Sequence, residues 1–145
     1  MSAAPNPNAA SVNAVPMLCA RNANAAIEFY KKAFNAIETM RFMDADGRVG
    51  HVELLVGGAR LTIADEYPEI GVLSPETLGG SPVMILLEVE DVDSLFEQAV
   101  AAGATVNRPV ADQFGGAFRN GKLVDPFGHR WMLLTYSKTI SMPEM

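Results

Sequence analysis

The chain has 145 residues, 49% of them hydrophobic, and 17 acidic against 11 basic side chains give a net charge of −6. That is enough apolar material for one packed domain or for two small modules that share a core, while the acidic balance without a local Lys/Arg cluster excludes the electrostatic footprint of a nucleic-acid binder. A lone cysteine, Cys19, excludes a disulfide framework or a Cys-pair metal site and makes a cytoplasmic location the expectation, and no apolar run reaches the ~18 residues that a membrane span requires.

Residues 1–11 are rich in Ala, Asn and Pro, with neither a basic start nor an apolar stretch, so they are expected to form a flexible tail rather than a signal peptide. Residues 12–20 predict an edge strand, because Pro16 cannot donate to a ladder. Asn22 then caps a predicted helix on which Ala26, Phe29, Tyr30, Ala33 and Phe34 recur at helical spacing. Strands are predicted over 37–43, 49–56 and 59–64, separated by the turns Asp44-Ala-Asp-Gly and Gly57-Gly58. Residues 67–82, with Pro68, Pro75, Gly79, Gly80 and Pro82, read as a connection. A second series follows. It has a strand over 83–89, a helix capped by Asp91 and stopped by Gly103, and strands over 105–110, 117–124 and 129–136, with Asp125-Pro126-Phe127-Gly128 as a turn and a short tail at 137–145.

The two series are imperfect copies at an interval of about 70 residues. Asn22 matches Asp91, Asn24 matches Asp93, Glu28 matches Glu97, and Gly58-Ala59-Arg60 matches Gly128-His129-Arg130. Each copy reads strand, helix, three strands. The expected fold is therefore α+β, with a first βαβββ module over 12–66 and a second over 83–136 forming curved sheets around a cleft. With Glu-Phe-Tyr at 28–30, Val-Glu-Asp-Val-Asp at 89–93 and Asp-Pro-Phe-Gly-His-Arg-Trp at 125–131, the chain resembles the vicinal oxygen chelate superfamily, and within it the PhnB-like and glyoxalase/bleomycin-resistance branch.

The resemblance implies a small-molecule site in the cleft, a homodimer with modules paired within or between chains, and, in the metal-using members, a divalent ion held by His, Gln or Glu on the first and last strands of each module. Carried onto this chain, those positions fall on Val15, Thr62, Met84 and Met132. None is a credible ligand for a hard or borderline cation, so no metal and no other cofactor is expected, a relocated divalent metal being the alternative.

Strand alternation turns Met17, Cys19, His51, Glu53, Leu55, Arg60, Thr62, Met84, Leu86, Glu88, Arg130, Met132, Leu134 and Tyr136 toward the cleft and leaves Leu18, Ile85, Leu87, Trp131 and Leu133 to pack the helices. The ligand-binding set predicted from this map is Met17, His51, Glu53, Thr62, Met84, Leu86, Arg119, Met132 and Tyr136. Its methionines suit an adaptable apolar pocket, or simply fill a core between sheets. His51 and Glu53, two apart on one strand, are the candidate catalytic pair for acid/base chemistry, with a hydrogen-bonded structural pair as the competing role. A structural role is expected for His129, salt bridges to nearby carboxylates for Arg60 and Arg130, and a small buried apolar role for Cys19. Two functions follow: sequestration of a hydrophobic or aromatic compound without a metal, in the manner of bleomycin resistance, or a glyoxalase-like or other enzyme working through His51 and Glu53 or a relocated metal. An assembly module with no small ligand is a third.

Overall fold

The computed structural model describes residues 12–138, so the tail 1–11 and most of 137–145 lie outside the described residues. The elements are β1 (Met17–Ala20), α1 (Ala23–Phe34), β2 (Ile37–Met43), β3 (Val49–Val56), β4 (Ala59–Asp65), α2 (Pro75–Leu78), β5 (Met84–Glu88), α3 (Val92–Ala102), β6 (Thr105–Gln113), β7 (Phe118–Val124) and β8 (Arg130–Tyr136), with one-turn 3₁₀ segments at Pro68–Ile70 and Phe114–Gly116.

Two four-stranded mixed sheets have equivalent orders, β1-β4-β3-β2 and β5-β8-β7-β6, and in each the first strand of a module runs parallel to its last. The repeat seen in the sequence is thus a repeat of topology. Its caps are equivalent too: Asn22 Oδ1 accepts from Ala25 N at 3.0 Å and Asp91 Oδ1 from Ser94 N at 3.2 Å, each satisfying an orphan donor of the first helical turn. Asn35, at φ 57°, and Gly103, at φ 128°, end the two helices.

Three expectations are corrected in extent. The first strand begins at Met17 rather than at 12, although the Pro16 carbonyl still accepts from Thr62 N at 2.9 Å. The strand expected to stop at 110 runs on to Gln113, and it accommodates Pro109 because the ladder slips between Arg108 and Ala111 on an edge strand. The connection is not structureless: Ser74 caps α2, and the Glu66 carboxylate accepts from Ser74 N at 2.8 Å and from both Ser74 Oγ and Thr77 Oγ1 at 2.5 Å.

The modules meet chiefly where α1 packs on α3. The buried stripe of α1 also reaches the second sheet. Phe34 and Trp131 have ring centroids 4.8 Å apart, Tyr30 and Trp131 5.4 Å, and Phe29 and Phe127 6.1 Å. At the centre sits buried Asp125, which accepts from the Tyr30 hydroxyl, from Trp131 Nε1 at 2.9 Å, and from the backbone N–H groups of Phe127 at 2.8 Å and His129 at 3.0 Å. On the other side residues 13–16 and the start of β4 face β5 across a groove of about 350 Å³, and no ladder among the described residues joins the two sheets, so they are not closed on one another.

Candidate functional site

In both sheets the residues that alternate with the helix-packed core form a second, open face. Leu18, Val52, Leu54, Leu87, Leu123, Trp131 and Leu133 are buried under the helices. The intervening residues turn the other way, and several large apolar side chains among them meet solvent: Met17 is 64% exposed, Ile37 63%, Phe42 59% and Leu86 46%. A β-bulge at Thr39 brings Ile37, Met40 and Phe42 onto the same face as their register partners Leu55, Glu53 and His51. Exposed apolar side chains concentrated in this way mark an interaction or ligand surface.

On the first sheet Glu53 is already engaged. Its carboxylate accepts from Thr39 Oγ1 at 2.8 Å and pairs with Arg60 Nη1 at 3.4 Å. The His51 ring lies 6.2 Å from that of Phe42. Thr62, beside Met17 and Glu53 in register, is buried and gives its hydroxyl to the Pro16 carbonyl at 3.2 Å.

On the second sheet Met84, Leu86, Met132 and Tyr136 share the open face, with Leu86 and Met132 directly paired. Met132 lines a groove of about 280 Å³ whose other walls all belong to the second module: Arg108, Gln113, Phe114, Phe118, Asn120, Lys122 and Leu134. Asn120, Arg108 and Lys122 were missed as site candidates by sequence reasoning. Asn120 and Lys122 alternate with Phe118 along β7 and pair without a slip with Leu134 and Met132, whereas Arg108 joins their face only through the slips in β6.

Arg119 has the opposite parity. It is the register partner of Thr135 and Asp112, and its guanidinium donates to Asp93 at 2.9 Å through both Nε and Nη2 and to Asp112 at 3.3 Å. It ties β7 to the first turn of α3 and does not reach the open face. Arg60 pairs with Glu53, whereas Arg130 makes no ion pair among the described residues. His129 Nε2 lies 2.8 Å from the Cys19 carbonyl, joining the Asp-Pro-Phe-Gly turn to the first module. Cys19 is half-buried, and burial first, then the carboxylates of Glu66 and Asp65, push its thiol up to about 11, which makes it a poor nucleophile at neutral pH.

Two βαβββ modules with helices on one face and an open face on the other define the vicinal-oxygen-chelate class of protein. The chain belongs to the Glyoxalase/Bleomycin resistance protein/Dioxygenase superfamily, whose family model matches residues 13–133. It is 40% identical over 133 residues to an uncharacterized protein of Mycobacterium bovis, covering 90% of this chain and 87% of that one. An uncharacterized Arabidopsis thaliana protein is 32% identical over 126 residues, with 82% and 74% covered. Among solved structures, TioX from Micromonospora sp. ML1 superposes with a TM-score of 0.66 at 23% identity, covering 91% of this chain and all of that one. A mutant of the fosfomycin resistance protein FosX from Listeria monocytogenes, complexed with Mn(II) and 1S,2S-dihydroxypropylphosphonic acid, superposes with a TM-score of 0.65 at 18% identity, with 88% and 92% covered. These two likenesses are of fold.

The superfamily implies a divalent metal in some members, and the residues present here do not fit one. The Met132 sulfur accepts a hydrogen bond from Asn120 Nδ2 at 3.2 Å, the Thr62 hydroxyl is committed to a backbone carbonyl, and Val15 carries no donor. Among the described residues no group of three or more His, Cys, Asp or Glu is placed to hold a metal ion. A thioether and an alcohol do not make a site for a hard or borderline cation.

Proposed function

We propose that the protein is a metal-independent small-molecule-binding member of the superfamily that sequesters a hydrophobic or aromatic compound against the open sheet faces, in the manner of bleomycin-resistance proteins. The observation that carries this reading is the solvent-facing set Met17, Ile37, Met40, Phe42 and Leu86, next to family ligand positions that offer no metal donors. Apolar side chains and a few oriented polar groups are what a ligand pocket needs. Met17, Met40, Met84 and Met132 give such a surface the adaptability to fit more than one occupant.

We also infer a homodimer in which a second copy shields the rest of these faces, since a monomer gains nothing from exposing so much apolar surface. A cytoplasmic setting suits a chain whose lone cysteine is held as an unreactive thiol. His51 and Glu53 serve here as part of the wall, the Glu53 carboxylate being taken by Arg60 and Thr39.

Trp131 is fully buried on the helix side, so the test is thermal stability rather than tryptophan fluorescence. Bleomycin, aromatic antibiotics and 2-naphthylmethanol at ~100 times their dissociation constant stabilise a binder by about 2.7 kcal/mol, a rise of several degrees in Tm. A flat response across the panel contradicts the proposal.

A further inference from the structure

We propose that the groove on the second sheet is an anion site, and that its ligand is a small organic acid with a flat apolar body whose carboxylate or comparable oxyanion is bound by Arg108 and Lys122. The inference rests on the small-molecule reading above and adds the charge of the ligand.

Arg108 on β6 and Lys122 on β7 are register partners, and Lys122 is in turn the partner of Met132 on β8. Two cations directly opposite each other on one face of an antiparallel pair repel and destabilise the ladder. Such pairs are ordinarily neutralised, and this chain has acid to spare, with 17 carboxylate side chains against 11 cations. Yet no ion pair among the described residues involves Arg108 or Lys122; Arg21, Lys32, Arg130 and Lys138 make none either, but Arg108 and Lys122 are the two that stand directly opposite each other in a ladder. The acidic residue on the same face, Glu88, is on edge strand β5, and β8 and β7 separate it from Arg108 on β6.

The Arg108 guanidinium is also aimed. Its Nη2 donates to the side-chain oxygen of buried Asn120 and its Nη1 to the Asn120 carbonyl at 3.3 Å. That fixes the Asn120 amide so that its NH₂ faces the Met132 sulfur at 3.2 Å, a weak acceptor that a ligand oxygen can replace. Arg108 and Lys122 thus place unneutralised cationic donors beside an underused amide, at a groove of about 280 Å³ with Phe114, Phe118 and Leu134 on its walls. The Phe118 ring is itself held between Phe114 at 5.3 Å and Tyr136 at 6.0 Å. Oxyanion donors next to a flat apolar wall select an aryl or similarly planar acid.

The experiment is isothermal titration of wild type, Lys122→Met and Lys122→Arg with 2-naphthoate and with its neutral counterpart 2-naphthylmethanol, alongside sedimentation of each variant. Lys122 is half-buried at the groove, so the folded state is retained in both variants, which circular dichroism verifies. Naphthoate is expected to bind wild type about tenfold to a hundredfold more tightly than the alcohol, the worth of charge-assisted hydrogen bonds. K122M is expected to lose about tenfold for naphthoate and nothing for the alcohol, and K122R to retain the preference. Equal binding of the two compounds to wild type, or naphthoate affinity indifferent to K122M, overturns the anion site while the small-molecule reading stands. Loss of the dimer in K122M with naphthoate binding unchanged also overturns it, by assigning the cations to a subunit contact. If neither compound binds at millimolar concentration, the anion site falls, and the small-molecule reading falls with it when the antibiotics also leave Tm unchanged.

Discussion

Asp125 does more for this molecule than its place in a turn suggests. A buried carboxylate is costly unless its lone pairs are filled, and here two backbone N–H groups of its own turn and two side chains, Tyr30 and Trp131, fill them. Tyr30 belongs to the first module, so the bond spans 95 residues of sequence and locks α1 onto the second sheet. Tyr30→Phe is expected to lower stability by about 2 kcal/mol, the worth of a hydrogen bond to a charged acceptor, measured by urea denaturation. Burial first, and then the Asp125 charge, push the Tyr30 hydroxyl well above its ordinary value of 10.0. A raised value favours the protonated form in the folded state, so this contribution is complete below pH ~10 and is lost as pH rises further. The wild type is therefore expected to lose stability more steeply than Y30F between pH 9 and 11; parallel profiles contradict the assignment. The sequence shows Asp-Pro-Phe-Gly as a turn, but nothing local points to the distant partner. Arg119 fails to be legible for the same reason, because its fate is decided by Asp93 on α3 and by a parity that only the ladder register reveals.

At the level of elements, most of the fold is legible because local signals agree with the global pattern: the bounds of β2, β3 and α3 follow directly from apolar periodicity, the Asp91 cap and the Gly103 stop. The connection is not, because α2 is too short to show a period and is held by a side chain outside it. Glu66 receives donors from Ser74 and Thr77, and these hydrogen bonds hold its carboxyl down at about 2. A lowered value favours the charged form in the folded state, so this anchoring is intact above the ordinary value of 4.5 and is lost as pH falls toward 2. Hydrogen exchange of residues 67–82 should therefore accelerate, relative to the helical core, on going from pH 5 to pH 3, and Glu66→Gln should show the faster exchange already at pH 5. Equal protection in wild type and variant at pH 5 removes Glu66 as the anchor.

At the scale of the whole molecule, duplication gives each sheet a helix-covered face and an open one, and the family ligand positions, carried onto Thr62, Met84 and Met132, lie on the open faces. The map of which residues face away from the helices is readable from alternation alone for β1, β3, β4, β5 and β8. It breaks down at β2 and β6, where bulges shift the register, and these are the strands that contribute Met40, Phe42 and Arg108 to the open faces. The central claim is that those faces bind a small apolar molecule without a metal. It is tested most directly by titrating 2-naphthylmethanol into protein stripped with EDTA and dialysed, and into the same protein supplied with Zn²⁺ or Mn²⁺. The account predicts dissociation constants equal within about twofold in all three states and at least tenfold weakened by Phe114→Ser on the groove wall; binding that vanishes on chelation and returns with the metal would contradict it.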